Sequence, residues 1–168
     1  NAEHLNPVFE YLYKLETQKK GNVNILHIGD SHIQGNYLTD KIRRSFYADF
    51  GTGSRGLVFP FAVSGTNTPA DVKSTSQFKW ETRKNTQSLY SEQTGICGRV
   101  MGNKTAFSSF RLSIPAAFPE FEFDEITVLY HQANKSKPLL VTDGNRNALE
   151  RVSRDQKKEF VADKYTAG

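Results

Sequence analysis

The sequence has one cysteine, Cys97, among its 168 residues, so it can form no intrachain disulfide and no cysteine-built metal cluster. Flanked by Ile96 and Gly98, far from any catalytic-cysteine signature, Cys97 is expected to be a small buried hydrophobe. No apolar run approaches the roughly 20 residues that span a bilayer. Residues 1–6 lack a signal-peptide pattern, and the chain is expected to be one whose leader has been removed or omitted. Internal repeats and low-complexity runs are missing too. A dense basic patch is also lacking: the net charge is +4, with 6 basic and 6 acidic residues over 1–50 and 16 against 12 over 51–168. Spread so thinly, this excess describes a solvated surface and not a nucleic-acid interface. The histidines show no metal-ligand spacing, so neither metal nor cofactor is expected.

What is present fits a globular chain, since 37% hydrophobic and 12% aromatic residues can supply one ordinary core or a core plus a small module. Asn6 is placed to cap a helix with Pro7 at its first position. Phe9, Leu12 and Leu15 give that helix an apolar stripe to about Gln18, and Lys19-Lys20-Gly21 break it. Val23, Ile25, Leu26 and Ile28 read as a strand buried on both faces. Leu38, Ile42 and Phe46 share one face of a following helix, which Gly51 closes. After residue 51 the texture turns to Gly, Ser, Thr and Asn. Strands are expected around Phe78 and Trp80, around Phe107, Phe110 and Leu112, over Ile126 to Tyr130 and over Leu139 to Val141, the last before an Asp143-Gly144 turn. Residues 147–156 fit a polar helix and 159–165 a strand. The change falls between Gly65 and Ser76, giving an α/β part over 1–72 and a β-rich, sandwich-like module over 73–168.

The richest segment is Ile25-Leu26-His27-Ile28-Gly29-Asp30-Ser31-His32-Ile33. It puts a serine at the carboxyl end of an apolar strand and the start of a helix, where open α/β sheets bind their ligands. Serine is a weak nucleophile, so it needs a base, a group orienting that base, and donors for the oxyanion. The helix start offers the Ser31 backbone N–H as one donor, helped by the helix dipole. Asp30 is expected to form and hold the turn, and His32 to line the site.

Gly29-Asp30-Ser31 after an apolar strand resembles the first block of the SGNH, or GDSL-type, hydrolases. With His32 and the Gly51-Thr-Gly-Ser-Arg-Gly56-Leu-Val-Phe-Pro60 stretch, it looks most like their bacterial peptidoglycan O-acetylesterase branch. The resemblance covers about residues 22–75. It implies a flavodoxin-like three-layer α/β domain, a serine esterase that deacetylates cell-wall or other carbohydrate, and a periplasmic or secreted location. It also implies a second backbone oxyanion donor from a glycine of the next block, matched to Gly65 with Gly56 as its competitor and a plain turn as the other reading of Gly65, and that Arg55 and Phe59 form a site wall for the glycan. Neither the family's Gly-x-Asn segment nor its Asp-x-x-His segment is expected in this chain: Gly102-Asn103 and Gly144-Asn145 lack the spacing and context, and no histidine follows an aspartate by three residues. The chain is therefore expected to be the front part of a longer polypeptide that supplies Asn, Asp and His, and to be inactive alone. Tyr13, Tyr37, Phe59, Phe61, Trp80 and Tyr90 are the aromatic rings available for stacking on sugars. The competing expectation is a non-catalytic carbohydrate-binding or scaffold protein with a degenerate hydrolase domain.

Overall fold

The computed structural model describes residues 2–86, 97–103, 108–132, 139–157 and 160–167. They combine helices with small antiparallel sheets, and the chain divides into two compact units, Asn1–Phe121 and Glu122–Gly168. The change of texture near residue 73 marks the first strand, inside the first unit. Tyr90 and Phe107 lie outside the described residues.

In the first unit, helix α1 (Asn6–Gln18) has Leu5 at its cap position and proline in its first turn, and Lys19 ends it in the left-handed region at φ 50°. Residues 19–29 then run without regular structure. The expected strand over 23–28 is not formed: no described strand pairs with it, and Ile25, Leu26 and Ile28 are exposed. A strand exists only through its ladder partners, so apolar alternation by itself cannot make one.

The expected helix from Ser31 is split in two. Helix α2 (Ser31–Gln34) stops at Gly35, and Asn36, with φ 62°, turns the chain into α3 (Tyr37–Phe50). Gly51, at φ 93°, closes α3 as expected, its N–H bonded to the Tyr47 carbonyl. The core-facing residues of α3 differ from the apolar stripe, because Leu38 and Ile42 are exposed whereas Tyr47 and Arg43 meet the ring of Phe121 at 6.0 and 5.5 Å. Phe121 is 1% exposed, and burying such a side chain contributes roughly 1.5–3 kcal/mol. Arg44 pins the neighbouring Pro119–Phe121 turn through Glu120 at 3.2 Å.

Helix α4 (Phe61–Ser64) is the hub for the strands that follow. Strand β1 (Lys73–Gln77) pairs antiparallel with β4 (Ser109–Ser113), and β2 (Glu81–Lys84) with β3 (Arg99–Gly102). Ser74 accepts from the Ala62 N–H at 2.9 Å. Thr82 donates to the Val63 carbonyl at 3.0 Å, and Arg99 to that of Ser64 at 3.0 Å. Phe61, Val63 and Val72 are buried here. Phe78 and Trp80 fall between β1 and β2, not within a strand, and Phe78 takes φ 66°.

The second unit is a three-stranded antiparallel sheet ordered β5 (Glu125–His131), β7 (Phe160–Thr166), β6 (Glu150–Lys157). The 147–156 stretch is thus largely strand and not helix. Alternation decided β5 correctly, while the 139–141 stretch forms only the approach to the Asp143 turn, which Asp143 closes by accepting from the N–H groups of Asn145 and Asn147. Among the described residues the strands pair into three small antiparallel sheets, and no flavodoxin-like parallel sheet is formed.

Candidate active site

Ser31 opens α2 and is exposed, its backbone N–H without a partner among the described residues. Asp30 is the cap: Oδ1 accepts the His32 backbone N–H at 3.0 Å and lies 3.0 Å from His32 Nδ1. The backbone bond from His32, and next its ring, hold the Asp30 carboxyl below the usual carboxylate range. Asp30 is thus the turn former that its place before Ser31 implies. Because the ring bond engages Nδ1, Nε2 is the nitrogen His32 has left for another molecule. At four residues α2 is too short to give Ser31 much dipole support, so the donor there is the free N–H itself.

An open pocket of about 250 Å³ lies beside Ser31, lined by Ser31, His32, Gln34, Gly35, Tyr37 and Asn67. Tyr37 presents an 83% exposed side chain. Gln34 donates from its side-chain amide to the Thr66 hydroxyl, which draws the 65–67 turn to the Ser31 segment.

Gly65 is not among the lining residues, and its N–H is spent on the Phe61 carbonyl, closing α4 at φ 61°. Its glycine is explained by that left-handed turn. Asn67, two residues on, lines the pocket instead and brings a side-chain amide donor. The sequence signal for Asn67 is the Gly-x-Asn spacing of Gly65-Thr66-Asn67, which contradicts the expectation that the chain holds no such segment. Arg55 is not a wall residue: it donates to Asp71 from Nε at 3.1 Å and to the Leu57 carbonyl at 2.8 Å. Phe59 packs edge-on against Phe61, with ring centroids 5.8 Å apart.

Of the other aromatic candidates, Tyr13 is exposed on α1 and Trp80 meets Phe110 edge-on at 5.9 Å. Cys97 is half-buried, and burial pushes its thiol pKa up, which suits a packed side chain better than a nucleophile. No cluster of three or more metal-ligating side chains occurs among the described residues, and no described helix is long and apolar enough to cross a membrane. The chain matches no family model, no curated protein and no solved structure.

Proposed function

We propose that this chain carries the nucleophile-bearing part of a serine esterase of the SGNH type, acting on an acetylated carbohydrate. The observation that carries it is the gathering of Ser31, Asn67 and Tyr37 around one pocket, on the segment that resembles the family's first block. Ser31 Oγ attacks the ester carbonyl, and the Ser31 N–H and the Asn67 amide are the two donors for the resulting oxyanion. Collapse expels the sugar alcohol and leaves acetyl on Ser31, and water then releases acetate. The exposed Tyr37 ring suits the apolar C–H face of a pyranose.

The base that takes the Ser31 proton and the carboxylate that orients it are assigned to polypeptide outside residues 1–168. Strands from the same source would pair with the 23–28 segment, whose exposed isoleucines support the assignment. A periplasmic or secreted location belongs to the same proposal and comes from the resemblance alone.

The deciding experiment is release of acetate from an acetylated glycan and hydrolysis of an aryl acetate by the full-length protein and its Ser31→Ala variant. The variant is expected to lose at least about a thousandfold in kcat. Equal turnover by both proteins would end the nucleophile assignment. The alternative of glycan binding without chemistry is favoured by Phe78, 66% exposed and two residues before Trp80 in the chain. It predicts glycan retention that Ser31→Ala leaves unchanged and an absence of turnover by the wild type.

A further inference from the structure

Among its described residues the first unit buries Asp71, a carboxylate that the esterase chemistry does not use. Asp71 is 1% exposed and follows the pocket residue Asn67 by four positions. Arg55 donates to it twice, from Nε to Oδ2 at 3.1 Å and from Nη2 to Oδ1 at 3.3 Å, and Arg43 Nη1 stands 3.8 Å from Oδ2. Its remaining partner is an amide: Asn36 Nδ2 donates to Oδ2 at 3.1 Å.

Asn36 is 8% exposed and sits at φ 62°, where L-residues other than Gly, Asn and Asp are rarely found. Its side chain is held at both ends, since Oδ1 accepts from Thr39 Oγ1 at 2.6 Å. The backbone on its amino side is the Ser31 turn, with the Gly35 N–H on the Ser31 carbonyl at 3.0 Å and the Asn36 N–H on that of Ile33 at 3.0 Å. Both walls of the pocket are therefore tied to one carboxylate, the Ser31–Gly35 wall through Asn36 and the Asn67 wall through four residues of chain. Arg55 adds the 51–60 loop to the same anchor.

We propose that Asp71 is a positioning residue of the Ser31 site, holding Asn36 in the left-handed conformation that fixes where the Ser31 turn stands against Asn67. Its kinetic consequence rests on the esterase assignment of Ser31; its structural consequence does not. A charged, fully enclosed acceptor with two guanidinium neighbours gives this hinge one geometry, which an exposed loop would lack. Asp71 itself touches no substrate.

The test uses the full-length protein and two readouts, aryl acetate kinetics and amide exchange at Gly35 and Asn36. For Asp71→Asn, kcat is expected to fall at least about tenfold with KM within about twofold, and both amides to exchange at least about tenfold faster while α1 amides keep their wild-type rates. The second pair separates backbone placement from side-chain loss. Asn36→Gly loses the amide that Asp71 holds but reaches positive φ without strain, so kcat should fall about as far as in Asp71→Asn, about tenfold, whereas Asn36→Ala, which loses the amide and strains the turn as well, should fall further. Unchanged exchange at Gly35 and Asn36 in Asp71→Asn, or a faster exchange shared equally by α1, would overturn the proposal. So would equal kcat for the Gly and Ala variants when both fall below wild type. If the wild type hydrolyses nothing, or Ser31→Ala is as active as wild type, the esterase assignment fails. The exchange measurement on Asp71→Asn then still decides the positioning role.

Discussion

Replacing Asp163 by Asn should unravel the second unit's sheet from its central strand. Asp163 is 1% exposed on β7 and accepts from Arg154 Nε at 2.7 Å and Nη2 at 2.8 Å, while the Tyr130 hydroxyl donates to it at 2.8 Å and itself accepts from Arg154 Nη2 at 2.8 Å. Arg151 adds a guanidinium at 3.5 Å. An amide keeps the shape but turns one acceptor oxygen into a donor facing donors, and it removes the charge opposite Arg154. Because the Arg154 side chain is 36% exposed and can be rehydrated, the loss falls short of that for a fully buried ion pair and is set by the charge-assisted hydrogen bonds that Asp163 gives up, up to about 3 kcal/mol. At tenfold per 1.4 kcal/mol, amide protection along β7 should fall by up to about 100-fold.

The assay is native-state amide exchange of Val161 to Tyr165, supported by a double-mutant cycle with Arg154→Ala. The two substitutions are expected to be clearly non-additive, the double mutant losing less protection than the single losses combined. Additive single-mutant effects, or unchanged protection of β7, would refute the reasoning. The acid response follows from the same contacts. The Arg154 bonds first, and the Tyr130 bond with them, hold the Asp163 carboxyl far below its ordinary range against the opposing effect of burial. A lowered folded pKa means that the stabilisation is whole above the unfolded value of about 3.9 and drains away as pH falls below it. Wild-type β7 should therefore lose protection between about pH 4 and pH 2 more steeply than the Asp163→Asn variant.

Two further substitutions probe the pocket. Asn67→Ala in the full-length protein should lower kcat about 100-fold with KM nearly unchanged, the usual cost of removing one oxyanion donor; an unaltered kcat would remove Asn67 from the oxyanion site. His32→Ala should cost less than about tenfold and leave the shape of the pH–rate profile unaltered if His32 only lines the pocket, as the proposed esterase assignment has it. A thousandfold loss would make His32 itself the base.

How much of this could be seen beforehand depended on how local the cause was. The Gly29-Asp30-Ser31 turn was legible because Asp30 caps α2 with its own side chain, two residues from the N–H it binds. That a helix closes at Gly51 was legible from spacing, though not which face of α3 turns inward, and β5 was legible from alternation. The 23–28 segment misled, because its pattern describes a strand that needs neighbours and supplies none. The role of Arg55 was hidden because its partner, Asp71, lies 16 residues away, and nothing in a glycine-rich stretch announces that an arginine will turn inward.

The sequence by itself determined where a nucleophile could stand. A serine after an apolar run, capped by the preceding aspartate and followed by helix formers, needs only short-range hydrogen bonds to take its shape. Tertiary structure decided what stands beside it. Asn67 displaced Gly65 at the pocket because α4 used the Gly65 N–H for its own closure. The helix after Ser31 broke where a carboxylate 35 residues further along the chain holds Asn36 at positive φ. Such pairings join groups far apart in the chain, and their strength comes from exclusion of water, which exists only once the chain has folded.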